Sequence, residues 1–350
     1  MVHLLSITEL RAATQAGRTA ARVHGQIYSL LQKETQQRKP YWELVLADAE
    51  ARLVLRAWSD SPAFKQCMEL AQGSFLEITG EFESSASFGL DAKTWACRPL
   101  DPEEIEALLA GPVSLREKQA RDYECILEAV GRIADPRLGA LCGLFLEELG
   151  ERFRRTAAAR ANHHARRGGL VEHVAQMMRT AEAICLAYPS LNRDLIVAGV
   201  LLHDAGKLWE NSLPADGFVM PYDERGEMMG HIAIGMELTN RLWRQLRERP
   251  EYDAWKQMTP GAEAVRLHLT HLILSHHGSL EFGSPVLPKT PEAFALHYID
   301  NIDAKLEMVF AAYKSAGQLA PGIYEKAWPL PTNLIEPLPA WSQPPENAGE

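Results

Sequence analysis

The sequence is short of what several protein classes require. Its five cysteines (Cys67, Cys97, Cys125, Cys142 and Cys185) are odd in number and scattered, with no C-x-x-C pair. That argues against a disulfide framework or a thiolate zinc site and fits a reducing cytoplasm. No apolar run approaches the ~20 residues needed to cross a bilayer. The first residues hold no basic segment followed by an apolar core and a small-residue cleavage site. The expectation is a cytoplasmic protein with no membrane partner. Basic charge is scarce as well: 36 Lys+Arg stand against 46 Asp+Glu, a net charge of −10. Residues 1–100 are balanced at 11 and 11, so the whole deficit lies beyond them. A strongly basic, indiscriminate nucleic-acid binder would look different. The local exception is Arg152, Arg154, Arg155, Arg160, Arg166 and Arg167, a cluster that a solvated helix face would also produce. There is no internal repeat.

What is present divides in two. Within residues 1–100, "ARVHGQIYSLL", "YWELVLADAE" and "ARLVLRAW" are rich in branched and aromatic residues with partial period-two alternation, the pattern of strands. "SPAFKQCMELAQG" predicts a helix, with Ser61 as N-cap, Pro62 in the first turn and Gly73 at the stop. Strands resume at "SFLEITGEF" and "KTWACRPL". Three strands, a helix and two strands is the element order of an OB-fold, a small all-β barrel that often binds oligonucleotides. From "LDPEEIEALL" onward the period is helical, and Val171, Val174, Met178, Ala181 and Cys185 form a core-facing stripe. The expected layout is a multidomain chain: the barrel over 1–100, a helical linker over 101–160, an all-α bundle over 161–317, and a Pro-rich tail over 318–350 that wraps the surface or is disordered.

Ten of the twelve histidines follow residue 160. His173, the adjacent pair His203–Asp204, His231, the pair His276–His277, and Asp300 fall on five successive predicted helices. One or two ligand-type residues per helix is how an antiparallel bundle builds an interior metal site. Imidazoles mixed with carboxylates suit Mn, Fe, Co or Zn better than Mg. A carboxylate beside a histidine can bridge two ions, and two ions about 3.5–4 Å apart clamp a phosphoester. His203 would then bind one ion and Asp204 both. Adjacent helix positions point about 100° apart, so one of His276 and His277 is expected to ligate. We take His276 as the ligand and leave His277 to substrate or proton transfer. His268, His271, His297 and Asp303 are expected to pack or orient, and His3 and His24 to be incidental.

The order His173, His203–Asp204, Asp300 resembles that of the HD-domain phosphohydrolases, with His231 and His276 resembling the extra ligands of the two-metal branch. The Gly-Tyr-Pro signature of the cyclic-dinucleotide enzymes is replaced here by "SHHGSLEFGSP". "NHHARRGGLVEHV", "LNRDLIVAGVLLHDAGKLWE", "GHIAIG", "LILSHHGSLEFGSPVLPKTPEA" and "LHYIDNIDAK" together resemble the bacterial YhaM-type 3′-to-5′ exoribonucleases, which place an OB-fold before the HD domain. The resemblance implies a phosphodiesterase that uses two divalent ions (Mn²⁺ first, then Co²⁺, Fe²⁺ or Zn²⁺) and shortens single-stranded RNA, or ssDNA, to nucleoside 5′-monophosphates. Its expected ligands are His173, His203, Asp204, His231, His276 and Asp300, with Lys207 as a point cation on the phosphate. His163, His164, Arg166 and Arg167 are expected to contact the nucleic-acid backbone, and Trp42 and Phe88 to stack on bases. A homo-oligomer is compatible with the sequence. The alternatives are an HD-domain enzyme acting on small nucleotides, or a nucleic-acid-binding regulator with a vestigial site.

Overall fold

A computed structural model describes residues 2–85, 89–160 and 164–341. Its N-terminal region is β1 (His3–Leu4), α1 (Ile7–Gln15), β2 (Thr19–Glu34), β3 (Pro40–Ala47), β4 (Arg52–Trp58), α2 (Pro62–Cys67), β5 (Phe75–Ser85) and β6 (Gly89–Pro99). The strands pair antiparallel in the order β4-β3-β2-β5-β6, with β1 added parallel to β2. The sixteen-residue β2 organises the sheet. Its first half pairs with β5, and from Gln26 onward it pairs with β3, with an irregularity between Ile27 and Ser29. Alternate residues Val23, Leu44, Leu46, Leu53, Leu55, Ile78 and Phe82 are buried on one face, as period-two patterning requires.

The expected small barrel is present as an antiparallel sheet. No ladder joins the edge strands β4 and β6 among the described residues. A side chain bridges them, Trp95 Nε1 donating to the Arg56 carbonyl at 3.3 Å. The sequence reading also passed over α1, although Ser6 and Glu9 form a capping box at its start. Ser61 does not cap α2 with its side chain, which bonds back to the Trp58 carbonyl, and the helix stops at Cys67 rather than near Gly73.

The helical region opens where Asp101 and Glu104 cap α3 (Pro102–Ala110) reciprocally. It continues through α4 (Val113–Gly131), α5 (Pro136–Phe153), α6 (Gly169–Ala187), α7 (Arg193–Leu202), α8 (Lys207–Glu210), α9 (Glu224–Arg247), α10 (Tyr252–Trp255), α11 (Ala262–Ser275) and α12 (Pro291–Ser315). Every residue from Leu195 to Leu202 is buried, so α7 is the axial helix that the others surround. The two regions touch through Gln26, whose side-chain oxygen accepts from the Phe218 backbone N–H at 2.6 Å, and Phe218 packs with Ala47, Ala49 and Leu115. The described part of the tail is not unpaired chain. β7 (Gln318–Ala320), β8 (Ile323–Tyr324) and β9 (Leu334–Ile335) make a small sheet that Tyr313 Oη ties to α12 by donating to the Ile335 carbonyl. No helix among the described residues is long and apolar enough to cross a membrane.

Candidate metal centre

The axial helix delivers the centre. His203 is the C-cap of α7, and Asp204 follows in the turn that leads into α8. His173 comes from the first turns of α6, His231 from α9, His276 from the C-cap of α11, and Asp300 from α12. Asp204, buried at 2% exposure, sits among them with its two oxygens turned to different partners. Oδ2 lies 3.2 Å from His203 Nε2, 3.8 Å from His173 Nε2 and 2.7 Å from Lys207 Nζ. Oδ1 lies 3.5 Å from His231 Nε2 and 3.7 Å from His276 Nε2. Asp300 Oδ1 stands 3.3 Å from His173 Nε2.

The other ring nitrogen of each histidine is committed. Nδ1 of His203 donates to the Val200 carbonyl at 2.9 Å and Nδ1 of His276 to the Ile273 carbonyl at 2.7 Å. Nδ1 of His173 donates to Asp303 at 2.7 Å and Nδ1 of His231 to Glu210 at 3.1 Å. A carbonyl cannot donate, so Nδ1 of His203 and of His276 must carry a proton, and Nε2 is the nitrogen that bears the lone pair in the neutral tautomer, the form that binds metal. Nε2 of His203, His231 and His276 and Oδ1 of Asp204 are buried without a hydrogen bond. Orphaned buried polar atoms are costly. Separations of this size are those of neighbouring ligands on an ion held about 2.0–2.2 Å from each N or O donor. The donor set fits divalent ions, and two of its groupings, His173–His203–Asp204 and His231–His276–His277, could each hold one.

The buried groups of the centre shift one another in different directions. Burial would raise the Asp204 carboxyl, but Lys207 and then His203 hold it well below the usual range. Burial would lower His173, yet its bonds to Asp300 and Asp303 outweigh that and raise it to about 9. His276 is pushed well down by burial, then by His203 and His277, and so stays neutral.

His276 keeps helical backbone angles at the C-cap of α11, and the His276 and His277 rings lie 4.3 Å apart. His277 Nδ1 donates to the Phe282 carbonyl at 2.6 Å, and its ring stands 5.1 Å from that of His231. The described residues expected at the nucleic-acid backbone are bonded within the chain. His164 is buried and bonded to Asp303 at 3.1 Å. Arg166 is held by Glu172 at 2.6 Å and Glu307 at 3.5 Å, and Arg167 donates to the Pro214 carbonyl at 2.8 Å. Arg152 donates to the Leu208 carbonyl and Arg160 to the Glu210 carbonyl. Arg152, Arg160, Arg166 and Arg167 therefore brace the segment around the metal centre, because buried carbonyls and carboxylates there need donors. Trp42 is half-buried against the sheet core, 6.4 Å from Phe64, so it packs rather than presenting a free face. Phe88 and His163 lie outside the described residues.

The sequence reading missed Glu210, although it stands three residues after Lys207. Its carboxylate takes both the backbone N–H of His231, at 2.8 Å, and the ring Nδ1–H. Those bonds matter because α9 is broken at Gly230 (φ 70°), so the helix restarts at His231 with an N–H in need of an acceptor. Asp303 and His297 orient ligands as expected, His297 by donating to the His276 carbonyl at 2.9 Å.

Glu172, one residue before His173, gives a stability prediction. It is buried at 1% exposure and takes Arg166, Lys118 and Gln119, and although burial alone would raise its carboxyl, they hold it at about 2. Glu172→Ala is expected to cost about 1.5–3 kcal/mol by removing charge-assisted hydrogen bonds from Arg166 and Lys118, which are 25% and 49% exposed and keep Glu307 and Asp122. Because the folded-state pKa is depressed, the wild-type contribution is complete above about pH 4.5 and decays as pH falls toward 2. Urea titrations of both proteins at neutral and acid pH check this, since the gap between them should narrow in acid.

Residues 170–305 match the family model described as HD domain. The match supports an HD-type, metal-dependent phosphohydrolase domain over those residues. Among solved structures, the chain has a likeness to RecG bound to a three-way DNA junction (15% identity, TM-score 0.24, covering 55% of this chain and 32% of that one). Another is to a protein of Leishmania major Friedlin described as an aspartyl-tRNA synthetase (9% identity, TM-score 0.22, covering 42% and 33%). The chain spans about a third of the length of each.

Proposed function

We propose that the protein is a two-metal 3′-to-5′ exoribonuclease that releases nucleoside 5′-monophosphates from single-stranded RNA. One observation carries this reading: the two oxygens of Asp204 face two separate histidine sets, as a bridging carboxylate would. His173, His203, Asp204 and Asp300 are assigned to one ion. Asp204, His231 and His276 are assigned to the other, for which Mn²⁺ is the first candidate. Bound ions supply Lewis-acid stabilisation of the phosphoryl oxygens and a lowered pKa for water. The chain's own residues do the rest. Lys207, 9% exposed, borders a cavity of about 480 Å³ with Arg160, Asn211 and Gly230, and places an ammonium beside Asp204 where a phosphate enters. His277, at the outer side of the histidine group, is assigned proton transfer to the leaving 3′-oxygen.

The N-terminal region over 1–100 is assigned the OB-like role of holding the strand, with 101–160 as linker and 161–317 as the catalytic domain. Arg160 lines both the cavity at Lys207 and the cleft between the regions that Asp48, Arg52 and Phe218 border. That shared wall offers RNA a path from sheet to metal centre. The internal commitment of Arg166, Arg167 and Trp42 favours a second reading, an HD enzyme for small nucleotides, which needs no such path. Incubating 5′-labelled RNA with protein and Mn²⁺ distinguishes them. Single-nucleotide shortening from the 3′ end, slowed by a 3′-phosphate, supports the nuclease. Intact RNA together with hydrolysed free nucleotides supports the alternative. Lys207→Ala is expected to keep its metal and lose about 10²–10³-fold in turnover, the scale of one preorganised charge. Loss of metal from that variant would make Lys207 structural.

A further inference from the structure

His164 lies in the segment that leads into α6, and its backbone is unusual. With φ 46° it occupies the left-handed region, which glycine adopts freely and other residues at a cost. The surroundings fix that conformation. Its carbonyl accepts from the backbone N–H of Ala158 at 3.2 Å and of Arg166 at 2.9 Å. It also takes the space beside Gly169, where a Cβ would lie 1.9 Å from the same oxygen. A costly backbone conformation that its neighbours enforce is found most often at functional sites.

What this conformation delivers is a buried ring. His164 is 7% exposed, and its Nε2 donates to Asp303 Oδ2 at 3.1 Å. The same oxygen takes the Nδ1–H of His173 at 2.7 Å. Burial would raise the Asp303 carboxyl, but His164 and then His173 hold it below its usual range, so it is an anion that accepts both bonds. The opposite nitrogen of the second ring, His173 Nε2, faces Asp300 at 3.3 Å and Asp204 at 3.8 Å. We propose that His164 is a positioning residue of the metal centre: bonded to Asp303, it fixes the carboxylate that orients His173 and decides which nitrogen of that ring meets the ion. The proposal rests on the assignment of His173 to an ion. A role confined to the turn would be met as well by asparagine, which takes the left-handed conformation at less cost.

Equilibrium dialysis of the metal-stripped full chain against Mn²⁺ tests this. Asparagine suits the backbone, but its amide stops short of Asp303, whereas the glutamine amide reaches about as far as the imidazole Nε2. His164→Asn is therefore expected to bind one ion about tenfold more weakly, the lower end of what outer partners of metal-bound histidines contribute, and the other ion normally. His164→Leu keeps the bulk without the donor and is expected to match it, so the measurement does not depend on the folding of one variant. His164→Gln is expected to stay near wild type. Adding His164→Asn to Asp303→Asn should weaken binding no further than Asp303→Asn alone, because a residue that acts through another is not additive with it. Cooperative melts of the metal-free variants show that each is folded. Full affinity for both ions in His164→Asn and His164→Leu, an equal loss in His164→Gln, or additive losses in the double variant would each overturn the proposal. A His173→Ala protein that still binds both ions at full affinity would instead overturn the assignment of His173, and the proposal with it.

Discussion

Asp204→Ala is expected to strip the protein of at least one metal ion and to lower phosphodiesterase turnover by more than about 10³-fold. A bound metal supplies several kcal/mol of charge stabilisation in the transition state, and each 1.36 kcal/mol is tenfold in rate. Asp204 lies between two histidine sets, so no other side chain can replace both of its oxygens. Its removal leaves His203, His231 and His276 without the anion that all three face, and leaves Lys207 buried without its carboxylate. A fall in activity could then reflect loss of folding. Asp204→Asn separates the cases, since the amide keeps the shape and one oxygen but not the charge. It should remain folded, bind metal weakly and turn over slowly. Elemental analysis beside an assay on a generic phosphodiester reads both quantities. Full metal content with full activity in Asp204→Ala would remove Asp204 from the centre.

Which parts of this molecule were legible in the sequence follows from which interactions are local. The β2–β6 strands and α3 showed because period-two burial and the capping box at Asp101 and Glu104 are written within a few residues. The ligand-type residues stood out because His203–Asp204 ends an apolar helix and because histidine is rare enough for five such helices to be conspicuous. What was not legible is what the chain uses at long range. The arginine cluster looked like a solvated or substrate-facing surface, since several of its acceptors are distant backbone carbonyls that no residue type announces. Arg152 and Arg160 find theirs at Leu208 and Glu210, fifty or more residues on. Whether β4 and β6 pair is likewise settled by sheet curvature, not by either strand's own pattern. Glu210 was hidden for a different reason. Its importance comes from the break at Gly230, and a single glycine inside a helical pattern does not announce a restart.

Gly206→Ala is expected to have the second-largest effect, through contact alone. Gly206 has φ −67° and ψ −22°, which alanine adopts freely, so no backbone strain enters. A Cβ at this position would lie 1.9 Å from the His231 carbonyl oxygen and 2.7 Å from its Cα. Those atoms are backbone and cannot swing aside like the end of a side chain. Across the same crossing, a Cβ on Gly235 would come within 3.3 Å of the Gly206 nitrogen, so α8 and α9 meet closely here by having no side chains. The added methyl must push the start of the second half of α9 outward. Overpacking of this kind costs about 1–3 kcal/mol. His231 moves with it, against the grip of Glu210 on its N–H and ring, and away from Asp204 Oδ1 at 3.5 Å. The ion assigned to His231 and His276 should be lost while the one assigned to His173 and His203 stays, and a displacement near 1 Å costs about 10²-fold in rate. Metal counts per chain, a thermal melt and an activity assay on one preparation read all three. If Gly206→Ala kept two ions and near-normal turnover, His231 would not be a ligand.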